Sequence, residues 1–342
     1  MAIGSVLALP VAGWLVGRLG SRVTTAVAAL GLCLTLPLPV VSPTIPLVVL
    51  ALALLGASNA TLDVAMNAQA VAVEARYGRP LMSSFHGLFS LGGVAGAAGA
   101  SGAMALGLGP VVHVAAVAVA AAVVVVRSLA GLVTPPMPAG PTGAVFVRPP
   151  AALLGLGLLT FCGLLAEGAV GDWSAVYLQD ALGAPGAVAA TGFAAFSLTM
   201  AAGRFGGDRL IGRFGARVVL RVSSGLAASG LAAALLTGRP GAAVVGFGLV
   251  GLGLANVVPI LFGAAGRVPG VPAATALAAV ATTGYCGYLA GPPLIGVAAE
   301  VAGLASALGL VCVACAVITA SVRAVPTAAR REASGRDLAG VA

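Results

Sequence analysis

Leu15-Val16-Gly17-Arg18-Leu19-Gly20-Ser21-Arg22-Val23 recurs as Leu210-Ile211-Gly212-Arg213-Phe214-Gly215-Ala216-Arg217-Val218, 195 residues further along, with six of the nine positions identical. Each copy is a short arginine-bearing connection between two apolar runs. A loop repeated in the same sense implies two halves of parallel topology. A weaker echo, Gly56-Ala57-Ser58-Asn59 against Gly253-Leu254-Ala255-Asn256 at an offset of 197, nearly keeps that register. Between the copies, Thr134-Pro135-Pro136-Met137-Pro138-Ala139-Gly140-Pro141 opens a stretch running to Pro150 that is too rich in Pro and Gly for a helix. The expected organisation is a helix bundle over 1–134, a linker over 135–150, a second bundle over 151–322 and a tail over 323–342.

The repeat also predicts an absence. Gly212 lies 61 residues beyond Ala151, whereas Gly17 lies 16 residues beyond Met1, a difference of about 45 residues. One helix and its loop are therefore expected to be missing ahead of Met1, as from a truncated or mis-started reading frame, with Met1 on the outer face. A basic n-region and a small-residue cleavage site are not there, so a signal peptide does not explain this beginning.

Working outward, composition says what solvent the repeat belongs in. Hydrophobic residues make up 60% of the chain and charged residues 8%. Mean hydropathy is +1.12. Soluble domains carry about 25% charged residues, so lipid has to be the main solvent. Apolar runs lie near 1–16, 23–41, 46–72, 81–106, 110–126, 151–178, 187–203, 218–236, 241–265, 273–298 and 303–322, eleven spans of transmembrane length. The fold class expected is an all-α membrane protein.

A net charge of +8 in a soluble protein would suggest nucleic acid, so the placement of the charges decides. All seventeen basic residues are arginine. With connections numbered alternately, sixteen of them fall on one side and only Arg239 on the other, Arg204 being counted at the end of the span 187–203. That asymmetry marks the arginine-rich side, with the C-terminus, as cytoplasmic in an inner or plasma membrane. It gives nucleic acid no role.

The five cysteines, Cys33, Cys162, Cys286, Cys312 and Cys315, lie inside apolar segments and read as packing residues, with no disulfide framework. Gly246-Phe247-Gly248-Leu249-Val250-Gly251 matches a dinucleotide fingerprint but has no preceding strand. With two histidines far apart and no clustered metal ligands, neither a cofactor, a metal nor an enzyme's acid and base pair is expected.

Polar residues at membrane depth are the candidates for function. Asn59, Asp63 and Asn67 recur every four residues and share one helix face. Counting in from Glu74, Asp63 lies roughly 16 Å deep, where a carboxylate costs at least a few kcal/mol unless paired, hydrated or protonated. The plain alternative is a hydrogen-bonded tie between helices. His86 lies roughly 10 Å deep on the next helix, level with Asn67, and forms with Asp63 a candidate proton-coupling pair; packing serves equally well as an explanation. His113 reads as interfacial. Glu167 has nothing basic within two turns. Asn256, Thr282, Thr283, Tyr285 and Tyr288 offer neutral hydrogen-bonding groups, either to a hydroxylated solute or to neighbouring helices. Trp173 and Tyr177 read as interfacial anchors.

The repeated loop resembles the hallmark Gly-x-Leu-x-Asp-Arg-x-Gly-Arg-Arg motif of the major facilitator superfamily. Gly13, Leu15, Arg18, Gly20 and Arg22 fit it, while Gly17 replaces the acid and puts the family's charge latch in question in this half. The second copy keeps an acid, Asp208 beside Arg209, ahead of Arg213, Gly215 and Arg217. Asn59, Asp63 to Asn67, Glu74, Gly78-Arg79, Met82, His86, Ser90, Gly92-Gly93, Glu167 to Trp173 and Gly291-Pro292-Pro293 look like a bacterial branch near the fucose permeases. The resemblance implies a two-bundle fold with eleven of twelve helices, and a monomer.

It further implies secondary active transport of a small polar or sugar-like solute by alternating access, coupled to protons. The solute and proton residues would be Asp63, Asn67, Asn59, His86, Ser90, Glu167, Asn256 and Tyr285. The gating loops would hold Gly13, Arg18, Gly20, Arg22, Asp208, Arg209, Arg213, Gly215 and Arg217. Proton-driven efflux of drug-like or metabolite compounds is the alternative reading, followed by a non-transporting sensor or a defective carrier.

Overall fold

The computed structural model describes residues 1–134 and 151–325. The expected linker 135–150 and all but the first residues of the expected tail lie outside the described residues. Among the described residues every regular element is helical. In chain order they are α1 (Ala2–Thr35), the short α2 (Leu38–Val41), α3 (Ile45–Tyr77), α4 (Met82–Ala105), α5 (Pro110–Ser128), α6 (Ala151–Val176), α7 (Gly186–Phe214), α8 (Ala216–Thr237), α9 (Pro240–Leu254), α10 (Val257–Ala265), α11 (Ala273–Ala302) and α12 (Leu304–Ser321).

The repeated nonapeptide is repeated in the backbone. Gly20 interrupts α1 at φ 80, ψ 154, and Gly215 separates α7 from α8 at φ 81, ψ 152. Positive φ of this kind is open to glycine and strained for any side chain, so both copies need the glycine to turn the chain back. Nine helical stretches among the described residues are long and apolar enough to cross a membrane. The first of them, 3–41, contains the break at Gly20 and so crosses twice. α11, 30 residues long and so about 45 Å, spans as well, which brings the crossings to eleven.

The two bundles are packed differently. In the second, α6 lies along α11, with Gly287 against the Phe161 carbonyl and Gly291 against the Leu165 carbonyl, so the backbones touch. Close approach through small residues is what associates helices in lipid, where hydrophobic transfer gives no net drive. In the first, the intimate contact is a different pair, α1 against α3, where Ser5 Oγ donates to the Gly56 carbonyl at 3.0 Å. α4 is open: Gly92 and Gly96, 195 residues before Gly287 and Gly291, face open space, with no other described segment within 4 Å of where a side chain would begin. Accordingly, the large fully buried side chains, among them Leu156, Leu159, Phe247, Leu277 and Leu308, belong almost wholly to α6–α12, with Leu9 the exception. Leu34, Val49, Val119, Val222, Leu236 and Val301 face outward, an apolar exterior suited to acyl chains.

The bundles meet through α1 against α11 and α7 against α4. At the first contact Gly13 is so close to α11 that a Cβ would lie 2.7 Å from the Ala278 methyl. At the second, Asp208 of α7 accepts from the backbone N–H groups of Ser83 at 3.0 Å and Ser84 at 2.8 Å, capping α4. Gly13 and Asp208 are 195 residues apart, and so are Ser83 and Ala278. The two contacts are thus one contact made twice, by packing in one copy and by charge in the other.

Candidate functional site

α3 runs unbroken from a proline-bearing first turn to Gly78, whose left-handed backbone (φ 67) ends it. Its polar stripe therefore keeps strict helical spacing, and Asn67 reaches back one turn. Asn67 Nδ2 donates to the Asp63 carbonyl at 2.8 Å and to Asp63 Oδ1 at 3.0 Å. The other carboxylate oxygen, Oδ2, faces the opposite bundle and accepts from the Tyr285 hydroxyl of α11 at 3.4 Å. No cation pairs with Asp63 among the described residues.

The second centre lies on α6, α7 and α4. Arg204, only 7% exposed, donates from Nη1 to Ser90 Oγ at 2.7 Å, while Nη2 stands 3.9 Å from Glu167 Oε2. Among the described residues its buried Nε has no hydrogen-bond partner, and neither has His86 Nε2. The His86 ring meets Phe262 of α10 edge to face, with centroids 6.2 Å apart.

Both centres face one cavity of about 620 Å³ between the bundles. Asp63, Asn67, His86, Glu167, Arg204 and Tyr285 supply much of its polar wall, joined by Tyr288 and, toward the arginine-rich end, by Gln69 and Thr25, and Met66, Phe85, Phe89, Leu164 and Phe262 much of the rest. A polar cluster in a mostly apolar wall is the usual form of a small-molecule site.

Five of the eight expected solute residues thus come together: Asp63, Asn67, His86, Glu167 and Tyr285. Ser90 is one hydrogen bond away, on Arg204. Asn59 lies off the cavity wall. Asn256 does not face the cleft: it is buried at the break between α9 and α10, where a single helix over 241–265 was expected, and donates to the Gly203 carbonyl at 3.2 Å. Nor does His86 hydrogen-bond to Asp63, whose partners are Asn67 and Tyr285.

Arg204 corrects the charge count. Treating it as the end of a span placed it with the loop arginines, but α7 continues ten residues further, to Phe214, and leaves Arg204 roughly 14 Å short of Arg213 along the helix. Glu167 has a basic neighbour after all, supplied from 37 residues away.

The expected gating residues cluster on the arginine-rich face. Besides Gly13 and Asp208, Arg18 stacks on Trp14 at 4.9 Å and Arg22 donates to Thr134 Oγ1 at 3.1 Å. Arg217 donates to the Val325 carbonyl at 2.8 Å, Arg213 lies over Phe214, and Arg209 is exposed. One clasp on this face was not foreseen. Glu74 accepts from the Leu81 N–H at 2.9 Å and pairs with Arg267 of the opposite bundle. Gln69 also holds the chain here, bonding to Ser21 and to both backbone groups of Val133.

Comparison with known proteins agrees with this architecture. The family model described as Major Facilitator Superfamily matches residues 1–270. An uncharacterised MFS-type transporter of Yersinia pestis is 41% identical over 329 residues, 95% of this chain and 84% of the relative. The membrane protein MosC of Rhizobium meliloti is 34% identical, over 90% of this chain and 75% of its own length. Among solved structures, the E. coli fucose:proton symporter FucP superposes with a TM-score of 0.79 at 17% identity, over 96% of this chain and 89% of that one. The repeated glycine-arginine loop, the eleven crossings in two bundles and the cavity between them are the plan of one family of membrane transporters, which are not enzymes: this chain belongs to the major facilitator superfamily.

Proposed function

We propose that the protein is a secondary active transporter that carries a small, polar or sugar-like solute together with protons by alternating access. The observation that carries the reading is the Asp63–Tyr285 hydrogen bond. It joins the bundles at the cavity through a carboxylate that has no cationic partner among the described residues. Ionised there, Asp63 is costly; carrying a proton, it is not. Solute binding at the cavity wall and protonation of Asp63 then act on the same inter-bundle contact, which is what coupling requires. With the arginine-rich face taken as cytoplasmic in the inner membrane, the Asp208 cap, the Glu74–Arg267 clasp and the Gly13 contact tie the two bundles together on that side.

The test is solute-driven proton flux in proteoliposomes. Asp63→Asn is expected to abolish proton movement coupled to uptake while leaving solute exchange measurable. Normal coupled flux in that variant would falsify the assignment. A second reading, proton-driven efflux of apolar compounds, draws on the wall of Met66, Phe85, Phe89, Leu164 and Phe262. It predicts that everted vesicles accumulate lipophilic cations such as tetraphenylphosphonium when energised and ignore sugars.

A further inference from the structure

Arg204 is unusual in having so little to hold. A guanidinium carries five N–H donors in a planar fork. Here one is bonded, to Ser90; Nη2 is 3.9 Å from Glu167, and the buried Nε has no partner among the described residues. A permanent structural tie to Glu167 would draw the pair into the fork geometry, with N···O about 2.7–2.9 Å. At 93% burial, the unmet donors are expensive unless something else fills them. The group that fits a guanidinium fork in two places at once is a planar oxyanion.

The rest of the cavity narrows the choice. Arg204 is the only arginine among the described residues on its wall, too little charge for a phosphate dianion and enough for one carboxylate. Asp63, Asn67, Tyr285 and Tyr288 line the same cavity and offer acceptors and donors suited to hydroxyl groups. Glu167 occupies the place of the incoming carboxylate, at a distance that leaves room to replace it. Facing Glu167 are Arg204 from α7 and Tyr285 and Tyr288 from α11. Asp63 of α3 and His86 of α4 share the cavity, Asp172 lies on its own helix, and α10 presents the apolar Val258 and Phe262.

We propose that Arg204 is the carboxylate receptor of this cavity and that the solute is a hydroxylated monocarboxylate of the sugar-acid class. Its carboxylate takes the guanidinium from Glu167 as Glu167 takes up a proton, so the charge around Arg204 is unchanged. The inference rests on the transport reading and deepens it.

The experiment is thermal-shift binding on the purified full chain, with D-gluconate and D-galacturonate against D-glucose and D-galactose. The acids are expected to raise Tm and the neutral sugars not to, with affinity for the acids increasing as pH falls from 8 to 6. Arg204→Gln should weaken acid binding at least about tenfold, the scale of a lost charge-assisted hydrogen bond. Glu167→Gln, which removes the resident competitor and keeps the shape, should tighten it severalfold and flatten the pH dependence. That gain separates receptor from strut, because a merely structural pair would weaken binding in both variants. Equal shifts with acids and neutral sugars, no shift with either acid, or acid binding unchanged in Arg204→Gln each overturn the proposal. Transport fails separately: acid binding of the expected pattern with no accumulation in proteoliposomes leaves the receptor standing and removes the carrier.

Discussion

At the scale of single residues, Asp63 and Arg204 show what spacing can and cannot reveal. Asp63 was visible because its helix is regular: positions four apart share a face whatever surrounds them, and a carboxylate in a long apolar run stands out. The Tyr285 partner was visible only as a type of residue, 222 positions away. Arg204 was hidden by the rule that charge ends a span. That rule holds for lipid-facing helices and fails where a helix lines a polar interior. The Asp63–Tyr285 bond, 3.4 Å long, is weak in this state. Tyr285→Phe should therefore leave the fold intact and lower solute affinity or coupled uptake by only about threefold to tenfold, the size of one neutral hydrogen bond. Asp63→Asn should cost far more. A radiolabelled-uptake series on both variants checks the ordering, and equal losses would show that the hydroxyl matters as much as the carboxylate.

At the scale of elements, the two bundle contacts have the same geometry and different chemistry. The nonapeptide repeat made the turn glycines legible, since Gly20 and Gly215 must both adopt positive φ for the helices to reverse. That Gly13 would stand where Asp208 stands was also in the register, but its meaning required knowing what each faces. Asp208 meets the N-terminus of α4, where exposed N–H groups and the helix dipole favour a carboxylate by about 0.3–1 kcal/mol. Gly13 meets the first turns of α11 with no charge at all, so contact there depends on the absence of a side chain. Asp208→Asn keeps an acceptor but loses the charge; it should weaken closure modestly and shift the carrier toward the form open on the arginine-rich face. Gly13→Leu has no room beside Ala278 and should prevent closure outright. Cysteine pairs across α1 and α11, cross-linked under oxidation, report both effects: partial loss in the aspartate variant and near-complete loss in the leucine variant. Cross-linking at the unaltered level in Gly13→Leu would mean that α1 and α11 have a second way to meet.

At the scale of the whole molecule, orientation follows from charge and not from the coordinates, because a helix bundle is as stable either way up until membrane insertion chooses. The choice is made by arginines near the helix ends. Those of the connections after Gly17, Tyr77, Val126, Phe214 and Ala265 lie on one face, and Arg239, between α8 and α9, lies on the other. Removing Arg204 from the count leaves this asymmetry nearly untouched. Cysteine accessibility decides it. In a background where the five native cysteines are replaced by Ala or Ser, Arg239→Cys should react with a membrane-impermeant maleimide on intact cells. Arg79→Cys, on the arginine-rich face beside Gly78, should react only after permeabilisation. The reverse pattern would place the Asp208 cap and the Glu74–Arg267 clasp on the outside. The end of the cavity lined by Gln69, Val73 and Leu132 would then lie toward the outside, and the expected direction of loading would invert with it.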